Sequence, residues 1–176
     1  DLEQAIEECA DGLLSRLDDA APDLAVVFIS PHHEAGYEKV SSLVRQRLSS
    51  AKVFGCSGGG IIGNGVEVEQ RSAVSITGAS LPGVEIVDFH LDGESLPDLD
   101  AGPESWEDLV KVSRADDPQF VMLADPFSFP VQNLLLGLDF AFGPSAKIGG
   151  LASGAQQQHR NALFLDREIY RAGAIG

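Results

Sequence analysis

The same succession of elements occurs twice in this chain, and it limits the folds that the chain can adopt. Each time, a continuous apolar run leads through a helical segment to a short strand that ends in glycines. The first pair of strands is LAVVFI (24–29) and AKVFGCS (51–57), and the second is FVMLADP (120–126) and AKIGGLASG (146–154). Continuous apolar runs are typical of strands that are buried on both faces of a sheet. Two such strands joined by a helix form a βαβ unit, so each pair is predicted to be parallel with a right-handed crossover.

A shift of 95 residues superimposes the two units and indicates an internal duplication. The coinciding positions are Val26 with Val121, Pro31 with Pro126, Leu43 with Leu138, Ser50-Ala51-Lys52 with Ser145-Ala146-Lys147, Gly55 with Gly150, and Gly59 with Gly154. RSAVSI (71–76) also resembles RNALFL (160–165). The two repeats are therefore placed at about residues 22–91 and 117–176.

The remaining segments complete the predicted architecture. Amphipathic segments that predict helices span 1–19, 37–48, 105–113 and 131–142. Alternating segments that predict an antiparallel meander are VEVEQ (66–70), SAVSITGA (72–79) and VEIVDFHL (84–91). SPHHEAG (30–36) is predicted to be a loop, and Ser105 is predicted to be the N-cap of the third helix. The expected fold is a single α/β domain over 1–176, with mixed α+β character, in which each duplicated βαβ unit is followed by antiparallel strands in a mixed sheet.

Charge and composition exclude several classes of partner. The net charge is −15, from 27 acidic and 12 basic residues, so this acidic protein would be repelled by nucleic acid and by anionic membranes. No apolar run approaches the roughly 20 residues of a membrane helix. Two cysteines are too few for a disulfide framework and favour the reducing cytoplasm, or an organelle if a leader has been removed. The chain begins at Asp1 and ends within a strand-like segment, so we expect the natural chain to continue.

Four loops are expected at the carboxyl ends of the parallel strands, where ligands bind in open α/β sheets. They are SPHHE (30–34), GCSGGG (55–60), ADPFSFP (124–130) and GGLASG (149–154). If the two halves pack as a pseudo-symmetric pair, these loops converge on one crevice. The candidate ligand-binding residues are Pro31, His32, His33, Gly55, Cys56, Ser57, Gly58, Gly59, Asp125, Pro126, Ser128, Gly149, Gly150, Ser153 and Gly154.

The glycine segments allow two interpretations. Successive backbone N–H groups in a glycine-rich turn can bind a carboxylate or phosphate, with Asp125 as a partner for the ammonium group of an amino acid. Alternatively, the glycines form a tight corner where two backbones pass closely. GGGIIG (58–63) fits the letters of the dinucleotide fingerprint, but a strand follows it instead of a helix.

Cys56 and Ser57 are candidate nucleophiles for acyl transfer, with His32 or His33 as a possible base. The segment is not a Gly-x-Ser-x-Gly elbow, and the second repeat has Leu151 and Ala152 at the aligned positions. A small buried cysteine is the alternative, and we expect no catalysis. Neither His-x-x-x-His nor Cys-x-x-Cys occurs, so no metal site is expected.

Several motifs, taken in order, resemble the FIST domain, a family named for F-box and intracellular signal-transduction proteins. They are PDLAVVFISP, VFGCSGGGIIGNGVEVE, SAVSITGASLPGVEIVDFHL, LADPFSFP and IGGLASG. The resemblance runs from about Asp23 to the end and matches the amino-terminal part of the family pattern, without its carboxy-terminal part.

The resemblance implies a sensory domain that binds a small ligand, with amino acids proposed, and that acts on a signalling partner or a fused output domain. No output domain is present in this sequence, and no cofactor is expected. One branch of the family binds haem and senses nitric oxide, which leaves His32 or His33 as alternative axial ligands.

Overall fold

The computed structural model describes residues 1–18, 20–49 and 51–176. The α-helices are α1 (Leu2–Leu14), α2 (Val40–Leu48), α3 (Pro103–Val110) and α4 (Val131–Ala141), and the 3₁₀ helices are Pro31–Lys39, Gly93–Ser95 and Arg114–Asp116. The strands are β1 (Leu24–Ile29), β2 (Lys52–Ser57), β3 (Gly60–Gly63), β4 (Val66–Glu69), β5 (Val74–Ala79), β6 (His90–Leu91), β7 (Phe120–Ala124), β8 (Lys147–Leu151), β9 (Leu163–Leu165), β10 (Glu168–Tyr170) and β11 (Ala174–Ile175). The predicted α/β class with mixed sheets is confirmed.

The first sheet has the strand order β10-β9-β2-β1-β5. Its centre is the parallel pair of β1 and β2, and β5 and β9 join it antiparallel on either side. Alternate residues of β1 are fully buried beneath α1 and α2, because every second side chain of a strand points to the same face: Ala25, Val27 and Ile29. Asp1 caps α1 by accepting a hydrogen bond from Gln4 N at 3.0 Å.

The second sheet has the order β6-β11-β7-β8, with β7 and β8 parallel. Helices α3 and α4 cover one face of it, and the fully buried Trp106 of α3 packs against α4 at Gly137. The hairpin of β3 and β4 forms a separate two-stranded sheet.

The two halves of the chain exchange strands. The β9–β10 hairpin of the second half extends the first sheet, while β6 of the first half extends the second sheet. A buried apolar cluster then joins the two sheets: Phe54, Cys56, Leu123, Ala152, Leu163, Leu165 and Ile175. Neither half therefore completes its own sheet, and the strand-end loops of the two halves are held close together.

The structure corrects four local predictions. The helix predicted over 1–19 has its α-helical part at Leu2–Leu14, and Asp19 lies outside the described residues. The predicted loop 30–36 falls mostly within the 3₁₀ helix Pro31–Lys39, because Pro31 has a φ suited to the first helical position. Helix α3 is capped by Gly102 and begins at Pro103, because Pro103 also has a φ suited to the first helical position. Ser105 therefore lies inside the helix and is not its N-cap. The strand predicted over 84–91 is limited to His90–Leu91, which pairs with β11, and Phe89 exchanges two further backbone hydrogen bonds with Gly176.

The predicted meander forms only in part. Strands β3 and β4 pair as a hairpin, but β5 pairs with β1 instead of β4. The alternating sequence predicts that these segments form strands. Which strand each of them pairs with depends on which edge of a sheet is free, and the local sequence does not show this. The similar segments 71–76 and 160–165 lead into β5 and β9, but these two strands do not occupy equivalent positions in the fold. β5 lies beside β1, whereas β9 lies beside β2.

The two parallel pairs share a detailed feature that the 95-residue shift misplaces by one position. Gly55 lies opposite Val27 in the first pair, and Gly149 lies opposite Met122 in the second. The first strands are thus related by 95 residues and the second strands by 94. The counterpart of Gly55 is Gly149 instead of Gly150. Ser50 of the aligned Ser-Ala-Lys segment lies outside the described residues, and the duplication itself stays a prediction.

Candidate functional site

Three of the four strand-end loops contact one another directly. Gly59 N donates to Ser153 Oγ at 3.0 Å, and Ser153 N donates to the carbonyl oxygen of Ser57 at 3.0 Å. Gly154 has a φ of +96°, and a Cβ built on it would lie 3.2 Å from both Gly59 N and the Pro31 ring. Glycine is needed at this position for both its conformation and its close approach. The loops after β1, β2 and β8 therefore meet at one place.

The fourth loop joins them through a buried polar network. Asn161 Nδ2 donates to Asp125 Oδ1 at 2.9 Å, and Ser57 Oγ donates to Asn161 Oδ1 at 3.3 Å. Ser128 Oγ donates to Asp125 Oδ2 at 2.6 Å. Asp125, Asn161 and Ser57 are each at most 1% exposed, so these three residues connect the two sheets out of contact with solvent, while Ser128 is partly buried.

Backbone groups complete this network. Ser57 Oγ accepts a hydrogen bond from Ala162 N at 3.0 Å, and Ser128 Oγ accepts one from Gly173 N at 2.9 Å. Buried polar groups must be paired to avoid a large desolvation penalty, and these groups are paired. We call Ser57, Asp125, Ser128 and Asn161 the junction network.

Asn161 is the member of the junction network that sequence reasoning missed. It lies immediately before β9, in the segment RNALFL that the sequence comparison treated only as a strand. A polar residue directly before a fully apolar run is a weak signal, and its partners are 36 and 104 residues away along the chain.

The network places Asp125 differently from the expected role as an ammonium partner. Asp125 is 0% exposed, and each of its carboxylate oxygens already accepts a hydrogen bond. The N–H groups of the glycine corner are also engaged: Gly58 N donates to Ile29 O at 2.9 Å, and Gly59 N is bonded to Ser153. In this conformation the corner is a tight crossing of backbones rather than an open anion nest.

The outer rim of the loops is exposed. Gly59, Ser153, Gly154, Pro126 and Phe127 all lie at the surface, while Phe129 is buried in the core beneath α4. Gly55, Cys56, Ser57 and Gly58 are buried, whereas Gly149 and Gly150 are exposed on β8. The accessible part of the predicted site is thus its rim.

A loop of residues 155–160, here called the bridging loop, links this rim to the other loops. Arg160 donates to Glu34 Oε2 at 2.7 Å, and Gln158 Nε2 donates to the carbonyl oxygen of Phe127 at 3.4 Å. Ala155 N donates to Asn161 Oδ1 at 3.3 Å. The Arg160 side chain is 60% exposed and that of Glu34 is 34% exposed, so this ion pair is open to solvent.

Cys56 and Ser57 lack the surroundings of an activated nucleophile. Burial raises the pKa of the Cys56 thiol to about 12, so the thiol stays protonated at neutral pH. The Ser57 hydroxyl is bonded to Asn161 and Ala162. In the described part of the chain, no side-chain hydrogen bond joins either residue to a histidine.

The adjacent histidines lie on the 3₁₀ helix after β1. His32 is exposed and His33 is half-buried. Burial, followed by the charges of the Asp1 amino group and of His32, lowers the pKa of His33 below its usual value of 6.5. An imidazole suits haem iron, but the neighbouring Glu34 and Arg160 form a solvent-open ion pair. Such polar surroundings do not fit the apolar face of a porphyrin.

Tyr37 contributes a buried hydroxyl beside the junction network. Its side chain is 1% exposed and packs edge-on against Phe164, with ring centroids 5.7 Å apart. The hydroxyl has no hydrogen-bond partner among the described residues. Burial and, secondarily, the Glu34 charge raise its pKa to about 12, while the nearby Ser57 hydroxyl acts in the opposite direction without reaching hydrogen-bond geometry.

Other features of the described residues lie away from this region. A surface hollow of about 310 Å³ lies between α1 and α2, and one of about 440 Å³ lies beside α2, next to Arg45 and Arg167. Within residues 1–18, 20–49 and 51–176, no group of three or more His, Cys, Asp or Glu side chains is placed to hold a metal ion. The helices in those ranges are all too short or too polar to cross a membrane.

Two curated relatives match this chain over its whole length. An uncharacterized protein of Mycobacterium tuberculosis is 28% identical over 176 residues, which are 100% of this chain and 44% of that protein. An uncharacterized protein of Mycobacterium bovis is 27% identical over 176 residues, with the same 44% of its length covered. The chain therefore spans less than half the length of the curated relatives it matches. No solved structure matches it significantly.

The family comparison agrees with the motifs. The family model described as the FIST N domain matches residues 23–176, which is nearly the whole chain and includes all four strand-end loops. The resemblance predicted from the sequence is confirmed. The chain therefore belongs to the FIST family, which is generally a family of signal-transduction sensory domains.

Proposed function

We propose that this chain is the sensory part of a cytoplasmic signalling protein, and that it binds a small polar ligand at the exposed rim of the strand-end loops. An amino acid or a small carboxylate is the ligand class that the rim favours. The observation that carries the proposal is the solvent-open pair of Arg160 and Glu34, which joins the bridging loop to the first strand-end loop.

The chemistry of this pair suits an amino acid. A guanidinium group binds a carboxylate through two parallel hydrogen bonds, and a carboxylate binds an ammonium group. Arg160 and Glu34 can therefore exchange their mutual contact at 2.7 Å for contacts with the two charged groups of one ligand. Glu34 would bind the ammonium group of the ligand, which was the role expected of Asp125. Both carboxylate oxygens of Asp125 already accept hydrogen bonds within the protein. Exposed ion pairs contribute little to stability, about 0–1 kcal/mol, so the exchange costs the protein little.

Arg160 is adjacent to the junction network along the chain. Asn161 follows it directly and is bonded to Ser57 of the first sheet and to Asp125 after the second sheet. A ligand that repositions Arg160 would therefore alter the balance between arrangements of the two sheets, and a signalling partner would recognise the favoured one. A ligand can shift such an equilibrium only by its difference in affinity for the two states.

The test is calorimetric titration of the purified protein with the twenty amino acids, acetate, succinate and citrate. We expect at least one of these probes to bind, and Arg160→Gln to weaken its binding by about tenfold or more. Arg114→Gln is the matched control, because Arg114 is also a surface arginine paired with a glutamate, at 2.8 Å, on a different part of the fold. Binding that Arg160→Gln leaves unchanged would place the site elsewhere, and no binding by any probe would remove the proposal.

The same preparation tests the alternatives. A Soret band on addition of haem that is lost in His32→Ala or His33→Ala would favour a haem-bound nitric oxide sensor. Turnover of a p-nitrophenyl ester that is lost in Cys56→Ala or Ser57→Ala would favour an acyl-transfer enzyme. We expect neither signal, because the histidine surroundings are polar and the Cys56 thiol is protonated at neutral pH.

A further inference from the structure

Strand β8 is the edge strand of the second sheet, and its apolar side chains are exposed. It pairs with β7 on one side, and no other strand of the described residues pairs with its outer side. Ile148 and Leu151 are 62% and 53% exposed, and Val121, which lies opposite Ile148, is 41% exposed. Ile148 and Leu151 are three residues apart on a strand, so they lie on opposite faces of the sheet. Both faces of this edge are therefore apolar.

Helix α4, which connects β7 to β8, also exposes apolar side chains. Leu136 and Phe140 are 60% and 61% exposed on its outer side, although the opposite side of the helix is buried against the sheet and Trp106. A helix that is apolar on nearly all sides is typical of a helix covered by further structure. A long apolar edge strand left open is a site of pairing with another segment.

The first sheet shows how the corresponding edge is covered. There, β2 is the second strand of the parallel pair, and β9 pairs antiparallel with its outer side. Phe54 of β2, which lies opposite Leu165 of β9, is only 6% exposed. Ile148 is the residue of β8 that matches Phe54 when Gly149 is matched with Gly55, and it is 62% exposed. Among the described residues, no strand therefore occupies the position beside β8 that corresponds to β9.

We propose that an apolar antiparallel β-hairpin, similar to β9–β10, pairs with β8 and is supplied by the part of the longer protein that lies outside these 176 residues. The curated relatives provide the length for it, since this chain covers only 44% of each. The occupant has consecutive apolar side chains on its inner strand, as in Leu163-Phe164-Leu165 of β9, and its apolar neighbours cover Leu136 and Phe140.

A second copy of this chain is a less suitable occupant. Each copy carries a net charge of −15, and association of two such molecules brings like charges together. A hairpin within the same polypeptide avoids the loss of translational freedom that a second molecule would have. The docking surface therefore serves an intramolecular contact.

Hydrogen exchange with mass spectrometry on the natural full-length protein that contains these residues tests the proposal. We expect the peptide covering Ile148–Leu151 to exchange about tenfold more slowly than the exposed β3–β4 hairpin, because its outward amides are paired. Ile148→Lys should restore fast exchange at β8. Ile62→Lys is the matched control, since Ile62 is an apolar strand residue with 66% exposure that lies in the separate hairpin.

Each other outcome would overturn the proposal. Rapid exchange of β8 in the wild-type full-length protein would show that the edge is free, and this result does not depend on how any variant folds. Protection that rises with protein concentration, together with a dimeric mass by light scattering, would identify a second copy as the occupant. Protection that Ile148→Lys leaves unchanged, while circular dichroism shows an intact fold, would place the contact away from β8.

Discussion

Asn161 and Asp125 are joined by a buried hydrogen bond of 2.9 Å that links the start of β9, in the first sheet, to the loop after β7, in the second. Asn161 also accepts a hydrogen bond from Ser57 at the end of β2. The side-chain amide of Asn161 thus connects the carboxyl end of the first parallel pair to that of the second. The exchanged strands bring the strand-end loops of the two halves together, and this bond links them directly.

Replacing Asn161 with leucine should destabilise the protein by about 2–4 kcal/mol, because it leaves the buried Asp125 carboxylate without one of its donors. Urea unfolding followed by circular dichroism measures the change. Asn133→Leu is the control, since Asn133 is exposed on α4. A loss below about 0.5 kcal/mol would show that the junction network does not hold the sheets together.

Gly149→Ala should destabilise the second parallel pair by about 3 kcal/mol or more, because the new Cβ would overlap the carbonyl oxygen of Met122. Gly150→Ala is the matched control on the same strand, where a Cβ would meet nothing within 4 Å and stability should stay within about 0.5 kcal/mol. Thermal unfolding of both variants distinguishes them. Equal effects at the two positions would contradict the register of Gly149 opposite Met122.

The same register shows what the sequence could specify. The four strands of the two parallel pairs were predicted closely, because the apolar runs at β1, β2 and β7 reflect burial within the sheets. The edge position of β8, with Ile148 and Leu151 exposed, does not follow from the sequence. The pairing of β9 with β2 and of β6 with β11 was not predicted, since local periodicity carries no information on the partner. The shift of 95 residues is wrong by one residue for the second strands. The difference arises in the helical segments between the strands, where the sequence pattern does not show it.

The candidate site follows the same pattern. Ser57, Asp125 and Ser128 were singled out by their position at strand ends, and the structure places them in one network. Asn161 and the Arg160–Glu34 pair were not identified, because they depend on contacts between segments that are 36 to 126 residues apart. Position at a strand end can be inferred from a pattern, whereas the burial of Asp125 cannot.

Cys56 should react slowly with thiol reagents. Burial raises its pKa from 9.0 to about 12, so very little thiolate is present at pH 7.5. In a Cys9→Ser background, we expect labelling by 5,5′-dithiobis(2-nitrobenzoate) to be more than about 100-fold slower than that of a free thiol in denatured protein. Since the folded pKa is raised, the stability that this thiol contributes is complete below pH 9 and is lost as the pH rises towards 12. Fast labelling at neutral pH would restore the nucleophile hypothesis.

Tyr37→Phe should leave stability at pH 7 unchanged or raise it by about 1 kcal/mol, because the buried hydroxyl that it removes has no hydrogen-bond partner in the described part of the chain. The folded pKa of Tyr37 is raised from 10.0 to about 12, so the wild type should lose stability between pH 10 and 12 that the variant retains. Tyr170→Phe is the comparison: burial raises the pKa of Tyr170 as well, but by less than for Tyr37, so its pH-dependent difference should be smaller. Urea unfolding at pH 7, 10 and 11.5 gives the comparison. A loss of more than about 1 kcal/mol at pH 7 would instead show that the Tyr37 hydroxyl is bonded to Ser57 and belongs to the junction network.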